Sequence, residues 1–464
     1  MKRYLCIAGL AVLACAGCAV GPAYQRPAIT APAAFAEDGP WREARPGVAD
    51  ATAPWWQGYG DATLNEIVAR ALQANQTLKQ AEAQLRQAEA LARGAGSGLW
   101  PQLGVNGQAS RQRTQALSGS SLYDTRSGTL QASWEPDFWG RIRSGSDAAE
   151  ASARASAADL AAARLALQAA VLNNYTQLRV ADTLQATFDR TIEGYRSSLK
   201  IAEAQMRLGT ATPADVELAR STLASAQAQA VDVGLQRRQL EHALAVLQGM
   251  APADFKLAAT PLALQLPVVP PGLPSTLLER RPDIAAAELR VQAANAQIGV
   301  ARAAWFPRLM LSASGGETAL GLWSSAPHAV WALGAALSAT IFDGGARSAQ
   351  NAQADAAFDQ AAAAYRQVVL VSFQEVEDNL AGLRELARER ELQDQAMKSA
   401  RESERVLLRQ YRAGTASYVA VINAQALALN AERTLVQLQG RELAASVALT
   451  KAVGGGYSQT SQKN

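Results

Sequence analysis

After Pro101 the chain alternates: Leu103, Val105, Gly107 and Ala109 share one side of an extended run, and Gly104, Asn106, Gln108 and Ser110 share the other. A period of two is the signature of a strand. It recurs before Gly140 with Leu130, Ala132 and Trp134. It is clearest before Gly344, where Trp331, Leu333, Ala335, Leu337, Ala339 and Ile341 face one way with small residues between them. Runs rich in Ala, Gln, Glu and Arg around these strands predict helices. Residues 62–98 form one, stopped at Trp100-Pro101 because proline lacks a backbone donor and pushes its predecessor out of helical space. Phe306-Pro307 stops its counterpart. Residues 141–207 and 345–412 contain no proline and only scattered glycine, so at 1.5 Å per residue each predicts a helix about 100 Å long. Residues 212–249 supply a shorter one. The order is helix, strand, strand, very long helix, reversal, helix.

That order is stated twice. Residues 78–105 laid on 284–311 pair Ala81 with Ala287, Glu82 with Glu288, Pro101 with Pro307 and Leu103 with Leu309, all at a shift of 206. Phe138-Trp-Gly-Arg-Ile-Arg-Ser matches Phe342-Asp-Gly-Gly-Ala-Arg-Ser, and Arg207-Leu-Gly-Thr-Ala matches Arg412-Ala-Gly-Thr-Ala. The chain is a tandem duplication of one unit. Its strands carry apolar residues on one face and small or polar residues on the other, a pattern that suits lipid outside and water inside. Four strands cannot close on themselves, since membrane barrels start at about eight, and hydrocarbon does not tolerate open edges. Copies of the chain must therefore pool strands: two give eight, three give twelve. Residues 318–342, which lack Asp, Glu, Lys and Arg, compete as a transmembrane helix, but Pro327 and the period of two count against it. No other stretch beyond the N-terminus is expected to span a bilayer as a helix.

Composition adds an address and removes chemistry. Lys2 and Arg3, an apolar run to about residue 14 and then Cys15-Ala-Gly-Cys18 make a three-part secretory signal. It resembles bacterial lipoprotein signals, in which small residues precede a cysteine that is diacylated and becomes the mature N-terminus. Cys18 is the candidate, because Ala16-Gly17 fits the cleavage pattern; Cys15, after Val12-Leu13-Ala14, is the competing site, and a signal without lipidation is a third reading. Cleavage before Cys18 lowers the formal charge from +3 to +1 and leaves one cysteine of three, too few for an internal disulfide. A near-neutral chain without a basic block gives no support to nucleic-acid binding. The two histidines, His242 and His328, and the five methionines sit in no metal-binding or catalytic pattern, and there is no phosphate-binding loop. No cofactor and no catalysis are expected. The chain reads as a passive conduit.

Three motifs together carry a family resemblance: Cys-x-x-Gly-Pro-x-Tyr-x-x-Pro from Cys18, Trp-Trp-x-x-Tyr-x-Asp-x-x-Leu from Trp55, and Glu279-Arg-Arg-Pro-Asp-Ile284. Over residues 18–453 the chain resembles the TolC-like outer-membrane efflux proteins, in particular their NodT-type lipoprotein branch. The resemblance implies an α+β membrane protein: a trimer with one shared 12-stranded outer-membrane β-barrel, four strands per chain, continuing into a long periplasmic α-helical barrel with a mixed equatorial belt. The corresponding division is a signal at 1–17, an extended lipid-anchored tether at 18–60, a first repeat at 61–250, an equatorial linker at 251–280, a second repeat at 281–453 and a tail at 454–464. Implied partners are two further copies, a periplasmic adaptor (membrane fusion) protein, an inner-membrane pump of the RND type and outer-membrane lipid. The implied function is efflux of drugs, other toxic small molecules or metal ions. A duct for type I protein secretion and a structural periplasmic coiled-coil lipoprotein are the alternatives.

Two helix reversals are the candidate sites. Gly209 and Gly414 permit the left-handed geometry that ends a helix, and Thr212 or Ser417 can cap the next one, as Asp61 can cap the first. The resemblance makes Gly209, Thr210, Asp215, Gly414 and Thr415 adaptor-facing tips. The family's gate pattern is an apolar residue, an aspartate four later and an arginine three after that; here the positions hold Val419, Asn423 and Ala426. Only the first agrees. Asparagines around an axis would hydrogen-bond without trapping cations, so closure is expected to rest on Val419 packing and to depend weakly on divalent ions.

Overall fold

The computed structural model describes residues 20–32, 34–37, 54–116, 119–267, 280–321 and 326–455. Cys15 and Cys18 lie outside them. The order is a 3-10 turn at Trp55–Tyr59, α1 (Ala62–Ala74), α2 (Gln76–Ser97), β1 (Gln102–Ala116), β2 (Gly119–Trp134), α3 (Arg141–Arg207), α4 (Pro213–Leu247), α5 (Pro282–Ala303), β3 (Arg308–Leu320), β4 (His328–Ser338), α6 (Ala346–Arg412) and α7 (Tyr418–Ala452). The two 67-residue helices, α3 and α6, have the predicted bounds to within a residue. The helix expected over residues 62–98 is two helices. Asn75 breaks it with an extended backbone (ψ 128°), while its side chain accepts from the Leu78 amide at 2.9 Å and so caps α2.

The chain forms two compact units. The first comprises Met1–Ile29, Ala83–Ala158 and Ala285–Gln367. Its centre is one antiparallel sheet in the order β1-β2-β3-β4, with β1 and β4 as unpaired edges. The register puts Leu103 beside Ala132, Ala132 beside Ala313 and Ala313 beside Leu333, and one step on it aligns Val105, Leu130, Gly315 and Trp331. These residues share one face, and every described residue of β4 is exposed, Trp331 and Leu333 by more than three quarters. The opposite face is polar, with Ser110 and Thr125 hydroxyls 2.7 Å apart and Thr114 and Tyr123 2.6 Å apart. β4 ends at Ser338, so Ala339 and Ile341 extend the alternation in sequence but not the sheet. The helix considered for residues 318–342 is replaced by parts of β3 and β4.

All four strands meet their flanking helices at one end of this sheet. Trp100, Trp134, Phe138, Trp305 and Phe342 cluster in sequence at those junctions and are exposed, Phe342 by 88%. Trp139 stacks on Phe306 at 4.6 Å and donates to the Pro307 carbonyl at 2.8 Å. Asp137 accepts from the amides of Ile142 and Arg143 to start α3, and Asp343 accepts from Gly345 and Arg347 to start α6. The tether is more than extended chain. Gly21 lies so close to Gly299 that a Cβ would come within 3.0 Å of its Cα, Asn295 donates to the Pro22 carbonyl, and Arg26 pairs with Glu288 at 2.7 Å and donates to Tyr365. The Gly-Pro-x-Tyr-x-x-Pro motif is a docking segment.

The second unit comprises Thr30–Glu82, Asp159–Ile284 and Val368–Asn464. Its core joins Val180, Leu184, Phe188 and Ile192 of α3 with Ala226, Ala230 and Val233 of α4 and Leu429 and Val436 of α7. Phe35 of the tether is buried among Val376, Leu380, Leu383 and Leu449. The linker after α4 is clamped by a buried polar network. Arg179 donates to Asp182, Tyr175 and the Ala258 carbonyl, Arg237 donates to Asp182 and the Leu257 carbonyl, and the Thr260 amide returns to Asp182 at 3.1 Å. Each charge there has a partner, as burial demands. Contrary to the expectation that no other stretch would qualify, α3 carries an 18-residue window apolar enough by composition to cross a membrane, 39% of it buried. The helix belongs to the packed core instead, with Val171, Leu172, Tyr175 and Leu178 wholly buried.

The duplication is structural as well as sequential. Asn75 donates to the Leu247 carbonyl at the end of α4, and Arg281, 206 residues on, donates to the Ala452 carbonyl at the end of α7. Gly249 and Gly454 have positive φ (68° and 90°) and lie against the carbonyls of Ala74 and Arg280, where a Cβ would come within 2.4 and 2.7 Å. Only glycine fits at either place.

Candidate functional site

The two reversals have one backbone. At the end of α3 the Gly209 amide donates to the Met206 carbonyl at 3.0 Å and the Thr210 amide to Gln205 at 2.9 Å; at the end of α6 Gly414 donates to Tyr411 at 3.0 Å and Thr415 to Gln410 at 2.9 Å. This is the Schellman pattern, with glycine at the left-handed position (φ 74° and 76°). The threonine hydroxyls repeat it, donating to the Gln205 and Gln410 carbonyls at 3.1 and 3.0 Å. Thr212 and Asp215 then form a reciprocal capping box on α4, whereas Ser417 caps α7 alone through the Ala420 amide. All five tip residues named from the sequence therefore lie in the turns or the cap. Leu208, not named there, is the most exposed apolar residue of the first turn, at 79%.

Behind the turns Tyr411, Tyr418, Val421 and Ala219 form a small core with Leu199 and Leu407. Burial pushes the Tyr418 hydroxyl up to about 12, with Tyr411, Tyr195 and Asp215 adding to the effect. Farther along, Glu432 of α7 receives Arg190 of α3 at 2.6 Å and Arg401 of α6, which also contacts Glu404 at 3.3 Å. Burial raises the Glu404 carboxyl above its ordinary value; Arg401 opposes this and Glu432 adds to it. Gln425 reaches the Ser198 hydroxyl at 3.2 Å in the interior. One face of α7 is thus tied into the unit.

Its other face is open. Val419 is half exposed, Asn423 is exposed and Ala426 is intermediate, all within about 10 Å along the helix. Leu427, 59% exposed, continues the stripe two turns beyond Val419 and was not singled out in the sequence. Arg281 was also missed as a residue in its own right. Its side chain is buried against Asp283, Glu375 at 2.6 Å and the Ala452 carbonyl, and although burial works against Asp283, Arg281 holds its carboxyl below the ordinary range.

The sheet thus has two unpaired edges and aromatics at its helix end, and the hairpin turn is built twice. The family model described as Outer membrane efflux protein matches residues 67–250 and 273–455. The chain belongs to that family. Among relatives of this efflux protein, the pyoverdine export outer membrane protein OpmQ of Pseudomonas aeruginosa is 34% identical over 434 residues, 91% of this chain and 92% of that one. The toluene efflux pump outer membrane protein TtgC of Pseudomonas putida is 31% identical over 461 residues, 97% of this chain and 95% of that one. The solved outer-membrane channel OprN superposes with a TM-score of 0.86 at 28% identity, covering 94% of this chain and 99% of that one. The protein is an outer-membrane efflux channel of the TolC-like fold, with four strands per chain, long helices and two repeated halves.

Proposed function

We propose that three copies close a twelve-stranded barrel, with β4 of each pairing to β1 of the next. The observation that carries this is the sheet itself: both edges are open, one face is apolar over the half nearer the helices (Leu103, Val105, Leu130, Trp331, Leu333) before it turns charged at Arg111 and Asp124, and an even number of strands closes with antiparallel neighbours throughout. The Gly209 and Gly414 turns then meet a periplasmic adaptor, and an inner-membrane pump of the RND type supplies the energy. The cargo is a small molecule toxic to the cell, in keeping with the toluene named for one relative. Val419, Asn423 and Ala426 border the closed end, and Cys18 is acylated. The division at residues 17, 60, 250, 280 and 453 follows these roles.

Detergent extraction of the outer-membrane fraction, mass determination and planar-bilayer conductance on one sample test the reading. A three-chain particle with pores is expected; a single-chain species without conductance overturns it. Replacing Cys18 by serine behind a cleavable non-lipid signal should leave the trimer assembled, because a closed barrel holds in the bilayer without acyl chains.

A further inference from the structure

The open stripe of α7 carries no carboxylate. From the tip inward it presents Val419, Asn423, Leu427, Asn430, Gln437, Arg441 and Lys451. The helix has only two acidic residues, and both face the other way. Glu432 is tied to Arg190 and Arg401 with its side chain 15% exposed, and Glu442 to Arg390 at 2.9 Å with its side chain 7% exposed. Arg441 is offset by Glu389 at 3.6 Å. The repeat-mate α4 differs: its exposed face includes Glu217, 69% exposed, and Asp232, which stands where α7 has Gln437.

We propose that the narrow end of the conduit is not cation-selective, and that it passes neutral and anionic molecules while giving metal cations no hold. This rests on the reading that the first turns of α7 border the three-fold axis. Three carboxylates near an axis would attract cations, because charges at a protein surface are screened far less than in bulk water. Asparagine amides and aliphatic side chains carry no net charge. Rings of acidic side chains are what make cation channels selective, and the stripe lacks them from Val419 to Gln437. The favoured cargo class is therefore neutral amphiphiles and organic anions rather than metal ions.

Reversal potentials in a tenfold KCl gradient across planar bilayers test this on the full-length wild type, V419A and N423D. Wild-type and V419A channels should pass chloride about as well as potassium. N423D should raise the potassium preference about fivefold and add block by millimolar Mg2+. Wild-type channels that prefer potassium by about fivefold or more overturn the proposal while leaving the channel reading intact. No conductance from either wild type or V419A overturns the channel reading, and this inference with it.

Discussion

In the α3–α4 hairpin the Thr210 amide reaches Gln205 at 2.9 Å, and in the α6–α7 hairpin Thr415 reaches Gln410 at the same distance. The turns are interchangeable; the returning helices are not. α4 buries seven residues, mostly alanine and valine, whereas α7 buries seventeen, including Gln425, Glu442, Ser446 and Thr450. The second hairpin is held by interior polar contacts, and the first leans on a capping box and a surface with charges on it. After duplication, backbone geometry was retained where glycine and threonine dictate it. Side chains diverged where one copy became an inside element and the other stayed outside.

The most damaging way to break this comparison is at the repeat-related clamps. Arg281→Ala removes the bonds to Glu375, Asp283 and the Ala452 carbonyl and should cost about 2 kcal/mol, because the two carboxylates are about 40% exposed and rehydrate while the helix-end carbonyl loses its donor. Asn75→Ala loses a cap and one carbonyl bond, about 1 kcal/mol. Urea unfolding of the detergent-solubilised protein, followed by far-ultraviolet circular dichroism, separates the two; equal losses would mean that the clamps are equivalent and the second half is not the more tightly held. Gly209→Ala and Gly414→Ala come next, at about 1 kcal/mol each, because a Cβ is strained at positive φ. Their effects should match, and an effect confined to one tip would show that the shared backbone does not carry the strain.

Caps give a smaller contrast. Thr212→Ala, which dismantles the reciprocal box, should cost about 1 kcal/mol, and Ser417→Ala, whose cap is 3.4 Å long, about half of that. Smallest is a pH effect. The Glu404 carboxyl is raised in the folded chain by burial, so its charged form works against folding at neutral pH, and stability is gained as pH falls through the raised value. Glu404→Gln should remove that gain. Thermal unfolding between about pH 7.5 and pH 5 should be flatter in the variant than in the wild type; a steeper profile would reverse the sign assigned to burial.

Much of this was legible in the residues because it is local. Proline after Trp100 and Phe306, glycine at 209 and 414, and the hydroxyls at 212 and 417 act within one turn of chain, so helix ends and caps could be read directly. Strand periodicity was legible for the same reason, and it overran β4 by a few residues because alternation continues past the last partnered position. The break at Asn75 was hidden, since asparagine interrupts a helix only when a tertiary partner, here the Leu247 carbonyl, rewards the break. Arg281 sat in a quoted motif, yet its role depends on residues 94 and 171 positions away.

The sequence by itself determined the duplication, the helix and strand order, the two glycine turns and a lipid-facing strand pattern, since each follows from spacing along the chain. Tertiary structure decided which face of each helix is inside. It docked the tether through Gly21, Arg26 and Phe35, made Arg281 a clamp, and turned the two acids of α7 inward to leave a stripe without carboxylates. Those outcomes depend on which distant groups can satisfy a buried charge or fill a buried volume, and no local pattern records that.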